Sequence, residues 1–166
     1  MSGLHEFSVH VTWPDDGSTG TTDPAGTTSY TAYSRDHTVS LEGKPTLLAS
    51  ADPAFRGDAR RYSPEELFVA SLSQCHMLWA LHMAARAGVV IVGYTDRATG
   101  TMRVESAGAG QFTEVTLHPQ LTVAHEVPED VVHKIHENAH AHCFIARSVN
   151  FGVRIAPLTT NVAVAS

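Results

Sequence analysis
The pattern of apolar and polar positions divides the chain into stretches of two periods. Residues 5–13, HEFSVHVTW, alternate well enough to predict a strand. Residues 14–29 break the alternation; rich in Gly, Ser, Thr, Pro and Asp, they read as a mobile loop. β-Branched and aromatic residues return over 30–43, which predict a strand, a turn near Arg35-Asp36-His37 and a second strand. KPTLLAS (44–50) predicts a further short strand, and 51–62 a polar connector whose Arg56, Arg60 and Arg61 read as a solvated cluster.

The clearest signal follows. Ser63-Pro64-Glu65-Glu66 is a helix start: Ser63 as N-cap, Pro64 at the first helical position, Glu66 completing a capping box, and two acids at the positive end of the helix dipole. The helix should run to about Ala87 and stop at Gly88. It is apolar nearly all round, since Leu67, Phe68, Val69, Leu72, Leu78, Trp79, Leu81 and Met83 share no single face. Such a helix wants burial on most sides, more than a chain of this size supplies, so a subunit partner is expected to cover part of it. Strands are predicted over 89–125 with a Gly-rich turn at AGAGQ, a second helix over 127–143 entered through Pro128 and two acids, and strand character to the end. Strands and two helices in this order make an α+β fold in one domain, residues 1–166, without repeats or linkers.

Composition narrows the partners. A net charge of −6 argues against nucleic acid or an anionic membrane as the main partner. No apolar run reaches the roughly 20 residues that span a bilayer. The first residues lack a basic stretch followed by an apolar one, so the expectation is a cytoplasmic protein, where paired cysteines are more often redox-active or metal-binding than structural.

There are two cysteines, Cys75 and Cys143, and the chain alone does not show that they meet. Free cysteine often merely packs. For Cys75 to react it must become a thiolate, yet a mid-helix apolar site raises a thiol pKa, and three turns in, the helix dipole no longer helps. A cation must therefore supply the stabilisation, and arginine bridged to a carboxylate is best suited. Arg35, Arg56, Arg60 and Arg61 are candidates, with Glu65 and Glu66 as acids. Glu65 precedes Cys75 by about 15 Å of helix at 1.5 Å per residue. If it serves Cys75, it does so from a second subunit or a folded-back arrangement. Glu66 is accounted for by the capping box; Glu65 is not needed there.

These residues carry a family resemblance. RYSPEELFVASLSQCHMLWALHMAARAGV resembles the first-cysteine helix of the OsmC/Ohr family, the osmotically inducible and organic hydroperoxide resistance proteins; AHAHCFIARSVNFGVRI resembles its second-cysteine segment, and YSRDHTVSLEG the turn carrying its arginine. The resemblance implies antiparallel sheets around a long buried central helix plus a second helix, in an intertwined homodimer. It implies a thiol peroxidase in which Cys75 attacks a hydroperoxide and becomes a sulfenic acid, Cys143 resolves it to a disulfide, Arg35 lowers the Cys75 pKa, and Glu65 holds Arg35. No cofactor is implied, only an external dithiol of the lipoyl type. Phe144 stands where the hydroperoxide-resistance branch typically has Pro, and His76 follows the first cysteine; both are closer to a less characterised OsmC-like branch.

Two readings compete. The same scaffold could be a non-catalytic dimer binding a hydrophobic small molecule, its cysteines mere packing. Alternatively, His133, His136 and His140, on one face of the second helix near His142 and Cys143, could ligate a metal; a polar helix face that tolerates histidine is the plainer account. His76 and His82 read as hydrogen-bonded buried histidines.

Overall fold
The computed structural model describes residues 3–15, 26–106, 108–158 and 160–162. The chain forms two compact units, Met1–Leu67 and Phe68–Ser166. Most of the loop expected over 14–29 lies outside the described residues.

In the first unit, β1 (His10–Thr12), β2 (His37–Ser40) and β3 (Leu47–Ala49) form an antiparallel sheet in that order. The strand expected over Tyr30–Ser34 is absent: the Ala32 amide donates to the Ser29 carbonyl in a turn, and the Arg35 guanidinium folds back onto the Tyr30 and Tyr33 carbonyls. Those side-chain bonds take carbonyls that a ladder would need. The connector is tied to β3 through Tyr62, whose amide donates to Leu48 and whose carbonyl accepts from Ser50. Gly57 permits this closure, because a Cβ there would lie 1.5 Å from the Ala51 carbonyl oxygen. The arginine cluster is not uniformly solvated. Arg60 pairs with Asp58 at the surface, but Arg61 is buried, 2.9 Å from the fully buried Asp15 and 3.5 Å from Asp36.

The capping box forms: Ser63 N–H donates to the Glu66 carboxylate at 2.8 Å, and Glu66 N–H to Ser63 Oγ at 3.2 Å. It opens α1 (Pro64–Arg86), and Gly88 follows with φ +71°, the left-handed geometry that favours glycine after a helix.

The second unit is built on the body of α1. Strands β4 (Ile91–Asp96) and β5 (Thr99–Val104) pair with β7 (Pro119–Val123) and β6 (Gly110–Leu117), a long antiparallel ribbon bent at Arg97-Ala98 and His118. Each arm of the ribbon is therefore divided into two strands. Asp96 pins the bend, accepting from the His118 amide at 2.7 Å and from the Ser73 hydroxyl of α1. After α2 (Glu129–His142), β8 (Gly152–Ile155) adds to β6 and β9 (Asn161–Val162) to β7. Both additions are parallel, so the sheets are mixed rather than wholly antiparallel. The fold is α+β.

Helix α1 is not buried on most sides within one chain. Its buried residues are Leu72, His76, Ala80 and Ala84, a single stripe at four-residue spacing. Ala80 and Ala84 pack with Ile135 and Ala139 of α2, and Leu72 with Val115 and Leu117 of β6. Leu78 remains 61% exposed.

Candidate functional site: two thiols and a buried histidine pair
Cys75 is half-buried near the middle of α1; Cys143 is fully buried, the residue that ends α2. The sequence pattern predicts both within helices, but Cys143 has ψ 109°, which turns the chain out of the helix. The turn is held by the Arg147 amide donating to the Cys143 carbonyl, and by Ile145, Ala146 and Phe151 packing around Leu72, one turn before Cys75. This packing brings the two thiols together. Both are free, and Cys75 lies close enough to Cys143 to raise its thiol. Burial pushes the Cys143 thiol up to about 11, and the neighbouring Cys75 side chain adds to the rise; the Ala146 amide, 3.4 Å from Sγ, opposes it. Around them, Trp79, one turn beyond Cys75, meets Phe144 edge-on with ring centroids 5.6 Å apart, and it also contacts His142 and His82.

Arg35 and Glu65 belong to the first unit. They line one cavity of about 310 Å³ together with Trp13, Tyr33 and His37. Arg35 is held by the Tyr30 and Tyr33 carbonyls and lies 4.0 Å from the Tyr33 ring centre. Among the described residues it makes no ion pair with Glu65, whose buried Oε2 has no hydrogen-bond partner.

The histidines separate into roles. His76 Nε2 and His136 Nδ1 share a 3.0 Å hydrogen bond, both rings buried. Burial, reinforced by the neighbouring imidazoles, holds both at about 4, well below the ordinary histidine range; Asp96 partly opposes this at His136. His82 is exposed rather than buried. His133 is exposed and lies 3.4 Å from Glu137. Among the described residues, no three His, Cys, Asp or Glu side chains converge as a metal site. The partner of His76 was missed in the sequence. The signal was that both histidines fall on apolar stripes, with Leu72, Ala80 and Ala84 in one helix and with Val132, Ile135 and Ala139 in the other.

The comparisons with known proteins agree with this architecture. The family model described as OsmC-like protein matches residues 57–157, and the chain belongs to the OsmC family. An OsmC-like protein of unknown function from Vibrio cholerae is 35% identical, with TM-score 0.77, over 93% of this chain and 100% of that one. Two more distant structures share the fold. The organic hydroperoxide resistance protein of Elizabethkingia anophelis is 17% identical, with TM-score 0.68, over 98% of this chain and 100% of that one. One from Legionella pneumophila is 14% identical, with TM-score 0.66, over 98% and 100%. No curated protein matches the sequence. No helix among the described residues is long and apolar enough to cross a membrane.

Proposed function
We propose that this protein is a thiol-dependent peroxidase that reduces organic hydroperoxides or hydrogen peroxide in a two-cysteine cycle. The observation that carries the reading is that Cys143 stands near Cys75, close enough for the Cys75 side chain to raise the Cys143 thiol. The half-buried Cys75 suits the nucleophile that meets the peroxide, and the fully buried Cys143 the resolving thiol. The Cys75 thiolate attacks one peroxide oxygen, the O–O bond breaks, and the departing alkoxide takes up a proton as alcohol; Cys75 is left as sulfenic acid. Cys143 sulfur then attacks Cys75 sulfur. The S–O bond breaks, and hydroxide leaves as water with the Cys143 proton. An external dithiol of the lipoyl type returns the disulfide to two thiols.

Arg35 is the cation that keeps Cys75 charged and orients the peroxide, and Glu65 holds it. The shared cavity of Arg35 and Glu65 supports this assignment, as does the Arg–Glu pairing that the family resemblance implies. The working form is a homodimer in the cytoplasm, its partner covering the apolar sides of α1 that one chain leaves open, such as Leu78. The hydroperoxide-resistance names of the more distant structures agree with the chemistry.

The test counts free thiols per chain before and after one equivalent of cumene hydroperoxide in wild type, Cys75→Ser and Cys143→Ser. Wild type should lose two thiols, Cys143→Ser should yield a trappable sulfenic acid, and Cys75→Ser should not react. If wild type keeps both thiols, the catalytic reading falls, and the scaffold is better sought as a binder of a hydrophobic small molecule.

A further inference from the structure
The helices that bring the thiols together meet through apolar side chains, Ala80 and Ala84 against Ile135 and Ala139, with Trp79, Met83 and Val131 packed beside them. Such contacts favour burial but are non-directional, so they specify sliding along the interface weakly. One directional contact interrupts them. His76 Nε2 and His136 Nδ1 lie 3.0 Å apart with ring planes within 8°, and among the described residues this is the side-chain hydrogen bond that joins α1 to α2. Its place is suggestive. His76 directly follows Cys75, and His136 precedes Cys143 by seven residues, about 10 Å or two turns of helix.

Two buried imidazoles are costly where apolar side chains would serve. The cost is not recovered by a complete polar network, because His76 Nδ1 and His136 Nε2 have no protein partner. What the pair supplies that leucines would not is a bond with one length and one direction. We infer that the His76–His136 hydrogen bond is a register lock that holds α2 against α1 so that Cys143 faces Cys75, making both histidines positioning residues for closure of the disulfide. The purpose of the lock rests on the two-cysteine reading above; its physical test does not.

The test equilibrates wild type, His136→Leu and His136→Asn with reduced and oxidised glutathione and measures the effective concentration of Cys75 for Cys143. Two protein thiols and one glutathione disulfide yield the protein disulfide and two reduced glutathiones, so no peroxide is involved. His136→Leu should lower the effective concentration about tenfold, the equivalent of roughly 1.4 kcal/mol for one buried hydrogen bond. The Asn side chain places its amide near the position of Nδ1 and should recover most of that loss. Urea unfolding of the reduced proteins reports stability separately, and a purely structural role would move that alone. If His136→Leu does not fold, His76→Leu and His76→Gln repeat the comparison from the other ring. A folded leucine variant within twofold of wild type overturns the lock, as does an equal loss in the leucine and amide variants. With cumene hydroperoxide, His136→Leu should form sulfenic acid at the wild-type rate and close the disulfide more slowly. Absence of any peroxide reaction in wild type would remove the peroxidase reading and leave the glutathione result standing.

Discussion
Acidification should destabilise this protein through the His76–His136 pair before it reaches most carboxylates. The ordinary histidine value is 6.5, and in the folded chain both rings sit at about 4. A folded pKa below the unfolded one means that the unfolded chain binds protons first. The stability contributed is therefore complete above about 6.5 and is lost as pH falls toward 4. Each imidazole costs roughly 1.36 kcal/mol per pH unit within that window, so by pH 5 one ring accounts for about 2 kcal/mol and both for roughly 4. Burial disfavours charge on both rings, and a charged His136 disfavours it further on His76, so neither takes up its proton cheaply while the fold persists. The neighbours that modulate this are His140 and His133, which oppose protonation, and Asp96, which favours it at His136. The assay is urea unfolding at pH 7.5 and pH 5.0, at one protein concentration, of wild type and the double variant His76→Leu/His136→Leu. Other titrating groups are common to both proteins and cancel. Wild type should lose about 4 kcal/mol more than the double variant between the two pH values. Equal losses in the two proteins would refute the reasoning, because the buried pair would then not be the site of differential proton uptake.

Two further substitutions separate buried from exposed charge in the first unit. Arg61→Met should destabilise by about 3 to 5 kcal/mol in urea unfolding, because it strips an ion pair from the fully buried Asp15 carboxylate, whereas Arg60→Ala should leave the urea midpoint unchanged, since Arg60 meets Asp58 in solvent. Ser63→Ala should lower stability by about 1 kcal/mol, the loss of one arm of the capping box at the start of α1, measured the same way.

The α+β class, the start of α1 at its capping box and its stop before Gly88 were legible in the chain because each depends on residues within a turn or two of one another. The strand expected at Tyr30–Ser34 failed on a local competition that periodicity does not register, arginine hydrogen bonds that claim backbone carbonyls. Splitting each arm of the ribbon into two strands needed Asp96 to reach both His118 and Ser73, groups 22 and 23 residues away.

The candidate site divides along the same line. The residue types that could do thiol chemistry, Cys75 and Cys143 with Arg35 and Glu65, were named by pattern and resemblance. Their neighbours were not. That Cys143 lies against Cys75 depends on how the segment after α2 packs around Leu72. That His76 finds His136 depends on two helices separated by the whole ribbon. That Arg61 rather than Arg60 is buried depends on Asp15, 46 residues earlier. Sequence determines what local backbone geometry and side-chain chemistry are available, since propensity, capping and apolar period act over a few residues. Tertiary structure decides which of those side chains lose water and which partner replaces it, because desolvation and hydrogen-bond direction are properties of packed, non-local neighbours.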